Sequence, residues 1–196
     1  MGARDNRHLN VSFPDAQTTR KMRMLLLHQY TFVSAPHIWN GDERGMWLAD
    51  DPDCRKPVLW EDIQHKPETF DVDGCRRTPV TVKPNPRLTN YYRKLIAARK
   101  QRRELIYGDL EFVVANDPTK VLAYRRSLDG RLASVIFNAS SEPRRVEIRQ
   151  PRAAGPVQVV ESVPDAVANL QFEPDKVRLE LASESGAAIF LRQSPH

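Results

Sequence analysis

Two hydrophobic periods run along this chain, and the change between them falls near residue 106. In residues 15–33, DAQTTRKMRMLLLHQYTFV, the positions Met22, Leu25, Leu26, Gln29 and Phe32 fall on one helical face, and Leu27 and Met24 widen the apolar arc. Spacings of three and four predict an amphipathic helix. Pro14 and Asp15 suit its first turn, and Ser34-Ala35-Pro36 ends it, because a residue before proline is pushed out of helical geometry. His37-Ile38-Trp39 reads as a very short strand stopped by Asn40-Gly41. A second helix is predicted from Pro86 to about Arg103, with Asn85 as its cap and Leu88, Tyr91, Tyr92, Leu95, Ile96 and Arg99 as its stripe. Beyond Gly108 the period drops to two. Residues 110–115, 121–128, 132–138, 145–149, 157–162, 177–182 and 187–192 read as strands, with Asp129-Gly130 a strong hairpin turn between two of them. Short strands at this spacing predict an antiparallel sandwich.

Residues 41 to about 84 follow neither period. Their first half, NGDERGMWLADDPDCRKPVLWED from Asn40, packs seven acids, three bases, two tryptophans and two prolines together. That is longer than a connection without a role should be. Two amphipathic helices and one short strand cannot close a sizeable core, and a lone strand has no sheet to join. The order helix, strand, loop, helix looks like the tail of a parallel α/β array. As it stands the chain is expected to be α+β.

A length of 196 residues suits one ordinary domain or two small ones, and 15 prolines against 8 glycines favour stiff turns. The net charge of +5 raises the question of a nucleic-acid partner. The arginines are scattered, no basic stripe carries interleaved aromatics, and no nucleic acid is expected. No apolar run approaches the roughly 20 residues that cross a bilayer, and MGARDNRHLN has no apolar core, so neither a membrane nor a secretory signal is expected. Cys54 and Cys75 lack CxxC partners. They read as thiols in a reducing, cytoplasmic compartment, with no metal and no cofactor.

The run APHIWNGDERGMWLADDPDCRKPVLWED resembles the end of the catalytic barrel in α-amylase-family glycoside hydrolases, closest to their cyclomaltodextrinase and neopullulanase branch. YYRKLIAARKQ, IYGDLEFVVAND, VLAYRRSL, ASVIFNASSEPRRVEI and DNRHLNVSFPDAQTTRKMRM are similar to neighbouring parts of the same enzymes, so the resemblance covers most of residues 5–150. It implies a partial (β/α)8 barrel in residues 1–105, followed by a β-sandwich in 106–196. Residues 15–33 would be the seventh barrel helix, 36–40 the eighth strand, 41–85 the loop after it and 86–103 the eighth helix. Such loops form the active face of a barrel.

The resemblance implies an α-1,4-glucan or cyclodextrin substrate in the full-length context. Asp51 and Arg55, of the Asp-Pro-x-x-Arg element, would hydrogen-bond a glucose unit, and Trp47 would be a wall of the cleft. For Trp47 and Trp60, core packing is the competing expectation. Asp42 and Glu43 are adjacent and would point to opposite sides of a strand, so they cannot flank one bond and are read as structural. The family's nucleophile and acid/base lie on strands upstream of residue 1. None of His8, His28, His37, His65 and His196 precedes an aspartate, and His28 is read as a helix-face residue. The chain is therefore expected to hold no catalytic residue: a C-terminal fragment, truncated or split from its enzyme and inactive alone. The alternative is a non-catalytic carbohydrate-binding or subunit-interaction module, including contact in a homo-oligomer. Leu48 stands where the family has glycine, His37 where it has methionine, and Trp39-Asn40 where it has a tyrosine pair.

Overall fold

The computed structural model describes residues 13–47, 55–70 and 74–193. Helix α1 spans Ala16–Thr31, a hairpin joins β1 (Glu68–Phe70) to β2 (Arg76–Val80), and helices α2 (Pro86–Gln101) and α3 (Arg103–Tyr107) follow. Eight strands complete the chain: β3 (Asp109–Asn116), β4 (Val121–Leu128), β5 (Arg131–Asn138), β6 (Arg144–Arg149), β7 (Ala153–Glu161), β8 (Val167–Glu173), β9 (Lys176–Leu181) and β10 (Ser185–Gln193). The fold class is α+β, and every strand pairing is antiparallel. Among the described residues no helix is long and apolar enough to cross a membrane.

The chain falls into two compact units. One joins Ala16–Pro36 to Leu95–His196; the other is built chiefly from His37–Lys94. The first unit holds a sandwich of two sheets, ordered β3-β4-β5-β10-β7 and β6-β9-β8. Alternation along the strands sets its core. Ala123, Ile136 and Ala187 stand opposite one another across β4, β5 and β10. Together with Leu132, Ile189 and Leu191 they meet Val146, Ile148, Val177, Leu179 and Leu181 of the smaller sheet. Each large aliphatic side chain buried in this way contributes roughly 1.5–3 kcal/mol relative to exposure. The β4–β5 turn has Asp129 at φ 47° and Gly130 at φ 72°, the left-handed pair that the Asp-Gly sequence predicts.

The opposite face of the larger sheet carries Tyr124, Arg126, Phe137 and Phe190, and α1 belongs to the same unit. Its polar residues anchor it: Arg20 Nη2 donates to Ser183 O at 2.8 Å, Arg23 Nε to Ser162 O at 2.6 Å and Gln17 Nε2 to Glu184 Oε1 at 2.7 Å. The helix is therefore turned away from the face expected from hydrophobicity alone. Leu26, Leu27, Tyr30 and Thr31 are buried, while Leu25 is 64% exposed. Arg126, 1% exposed, ties three elements together. Its guanidinium donates to Thr31 O at 3.1 Å, Leu105 O at 2.9 Å and Gly108 O at 2.8 Å. Gly108 is needed at that junction, since a Cβ there would lie 2.4 Å from Glu104 O and 2.7 Å from Ser127 O.

Three expectations change. Residues 35–39 carry no regular structure, so His37–Trp39 is not a strand; among the described residues no strand is placed to form a sheet with it. The second helix ends at Gln101, and Arg102, at φ −117° and ψ 89°, separates it from α3. The sandwich has eight strands rather than seven. The added one, β8, is irregular in register between Ala168 and Gln171, with Asn169 at φ 50°, which erases its period-two pattern.

Candidate functional site

The unit built from His37–Lys94 carries the acidic and aromatic loop. Its first turn is fixed by glycine and by the start of α2. Asp42–Arg44 form a single 3-10 turn, with Asp42 N donating to Trp39 O at 3.0 Å. Gly45, at φ 77°, sits where a Cβ would be 2.9 Å from Asn85 Cβ, so only glycine fits beside the helix cap. Asn85 N donates to Arg44 O at 2.8 Å, and Thr89 Oγ1 to Glu43 O at 2.7 Å. Asn85 Oδ1 accepts from Leu88 N at 3.1 Å, which makes Asn85 the N-cap with Pro86 at the first helical position. Glu43 Oε2 accepts from Gly41 N at 3.1 Å, a structural use of that carboxylate.

Past this turn lies Trp47, half-buried, with the Phe13 ring edge-on at 5.6 Å. Two cations lie over its indole: the Arg77 guanidinium at 4.4 Å and Lys56 Nζ at 5.6 Å from ring centroids. Both cations also pair with Glu68, one on each carboxylate oxygen. Glu68 is only 19% exposed, Arg77 18% and Lys56 32%, so this cluster is better shielded than an ordinary surface pair. Sequence reasoning missed it because β1 has three residues, its register to β2 is irregular, and Pro79 in β2 removes a ladder donor.

Of the candidate residues, Asp51 lies outside the described residues, as do Leu48 and Cys54. Arg55 is exposed and directly precedes Lys56, which brings it to the same end of the loop as Trp47. Trp60 is 50% exposed, so it does not pack in a core; Arg44 lies over its ring at 5.5 Å, and the neighbouring Leu59 is the buried residue. Cys75 is exposed. Among the described residues no group of three or more His, Cys, Asp and Glu is placed to hold a metal ion.

The sandwich unit has a groove of about 530 Å³ on the outer face of its smaller sheet, lined in part by Glu147 and Glu180. Each carboxylate stands opposite an arginine, Glu147 facing Arg178 and Arg145 facing Glu180. The hydrogen bond from Arg178 to Glu147, at 2.5 Å, holds the Glu147 carboxyl below its ordinary range. A carboxyl held ionised in this way is not suited to give a proton to a leaving group.

No family model matches the chain. Its fold is that of α-amylase structures: an α-amylase from Anoxybacillus superposes with a TM-score of 0.66 at 15% identity, covering 99% of this chain and 35% of that one. Over about two-thirds of its length the chain is similar to curated glycoside hydrolases. It is 35% identical over 127 residues to a cyclomaltodextrinase of Geobacillus thermopakistaniensis (strain MAS1), covering 65% of this chain and 18% of that enzyme. It is 28% identical over 135 residues to neopullulanase 2 of Thermoactinomyces vulgaris, covering 69% of this chain and 20% of that enzyme. The chain thus spans about a fifth of the length of these curated relatives.

Proposed function

We propose that this chain is the C-terminal part of a cyclomaltodextrinase-like glycoside hydrolase. Residues 1–105 descend from the end of its barrel, and 106–196 are its C-terminal domain. In that setting the loop of residues 41–85 lines the sugar cleft. Asp51 and Arg55 hydrogen-bond a glucose unit of an α-1,4-glucan or cyclodextrin, and Trp47 offers apolar ring surface. The nucleophile and acid/base belong to the remaining four-fifths of the enzyme, and this chain alone does not hydrolyse. One observation carries the reading: the chain matches enzymes named for cyclodextrin and pullulan hydrolysis over most of its own length and a fifth of theirs. The lack of regular structure in residues 35–39, where the eighth strand is expected, is consistent with it. Incubation of the purified chain with β-cyclodextrin and maltoheptaose should release no reducing sugar above a blank; hydrolysis would overturn the proposal.

A second reading, an interaction module, draws on a groove of about 560 Å³ in the sandwich unit, lined by Tyr30, Ala35, Pro36, Ile96 and Ile106 with Arg99 and Lys100. Apolar surface of this kind suits contact with another polypeptide.

A further inference from the structure

Glu68 belongs to no element that the sequence pattern singles out, yet among the described residues it is the acid that both cations over Trp47 share. We propose that Glu68 is a positioning residue for the sugar-binding edge of this loop: by pairing with Lys56 and Arg77 together it fixes both cations on the Trp47 indole, and so decides how that ring is presented. The inference rests on the reading of Trp47 and Arg55 as glucose contacts.

The physical argument concerns what each partner would do without Glu68. A lysine and an arginine near one indole repel each other, and both side chains have many rotamers to sample. A carboxylate between them cancels the repulsion and fixes the two heads relative to each other. Partial burial keeps the pairs from being screened as fully exposed ones are. The cations then hold the ring, since an aromatic face attracts cations electrostatically. The geometry is closed within one unit of the fold: Lys56 comes from the loop, Arg77 from β2, Glu68 from β1. The short hairpin thereby grips the loop at Trp47 on one side and at Lys56, the neighbour of Arg55, on the other. A glucose ring approaching Trp47 meets an indole whose orientation is set before binding, which saves the ordering cost of a free side chain.

The test uses the whole chain with Trp39 and Trp60 replaced by phenylalanine, so that Trp47 alone fluoresces. Glu68→Gln keeps the shape and removes the charge; Glu68→Ala removes both. Both variants should shift the Trp47 emission and increase its quenching by acrylamide. Both should also weaken β-cyclodextrin binding, measured by calorimetry, about three- to tenfold, the range expected from loss of such cation–ring attraction. In a Trp47→Ala background Glu68→Gln should have no further effect on binding, because its action runs through the ring. An unchanged Trp47 signal in the folded Glu68→Gln variant overturns the proposal whether or not sugar binds. Equal losses in the presence and absence of Trp47 overturn it as well. If the Trp47 signal shifts but the parent chain binds no cyclodextrin, the positioning stands and the sugar-contact reading of Trp47 and Arg55 falls.

Discussion

Arg126 concentrates the joining of helix to sheet in one side chain. Its guanidinium is buried and donates hydrogen bonds to the backbone oxygens of Thr31, Leu105 and Gly108. Burial therefore pushes its pKa down, with nearby Arg99 adding to the effect. Replacing it with leucine would strand three carbonyls away from water. We expect Arg126→Leu to cost about 3–5 kcal/mol in urea denaturation, the sum expected for several unsatisfied buried groups. Arg126→Lys should recover only part, because one ammonium cannot span three oxygens set for a fork. His28 works differently. Its ring lies among Phe32, Tyr124 and Phe137, at centroid separations of 4.7, 5.8 and 5.7 Å, with Nδ1 3.3 Å from Tyr124 Oη. Burial holds its pKa below the ordinary imidazole value. On acidification the unfolded chain takes up the proton first, below about pH 6.5. Stability is thus fully present above that value and is lost as pH falls towards the folded pKa. The melting temperature should decline between pH 7.5 and 5 more steeply in the parent than in His28→Gln. Both residues were visible in the sequence as letters only. No periodicity marks an arginine that will be buried on a strand, and a histidine on a helix face gives no sign of which rings will surround it.

At the scale of elements, the predictable parts are those whose own side chains decide them. The second helix shows this well. Asn85 caps it, Pro86 opens it, and Leu88, Tyr91, Tyr92 and Leu95 of the expected stripe are buried, with Ala98 beside them, while Ile96 and Arg99 are half-buried. Asn85→Ala should cost about 1 kcal/mol, seen as a lower melting temperature, because it unbinds the Leu88 amide and loosens the turn that Arg44 O anchors. The β4–β5 hairpin was equally legible, since its turn type follows from Asp-Gly. What escaped were elements shaped by distant partners. The rotation of α1 is set by Arg20 and Arg23 reaching carbonyls more than a hundred positions along the chain, which no local moment contains. The register irregularity in β8, between Ala168 and Gln171, hides the alternation. In the hairpin β1–β2, five strand residues that include Pro79 do not read as a strand at all. The candidate site was half-legible for the same reason. Trp47 and Arg55 stand out as letters, but Arg77, which lies over the Trp47 ring, and Glu68, which pairs with it, come from that unread hairpin.

At the scale of the molecule, the excess of basic residues has a plain use. Arg20, Arg23, Arg99, Arg102, Arg125 and Arg126 all donate to groups inside the sandwich unit, and Arg99 alone collects Tyr30 O at 2.8 Å and Ser34 O at 2.5 Å. A net charge of +5 therefore overstates how much positive surface the chain offers. The change of period near residue 106 does not coincide with the division into compact units, because α1 joins the strands while the loop between the helices keeps its own company. The sandwich unit thus takes both its pieces from either side of an interruption. Pro36 and Ile96, close to the two points where the chain leaves and returns, border the same groove. Such nesting lets residues 37–94 lengthen or be exchanged by recombination without removing any strand of the sandwich.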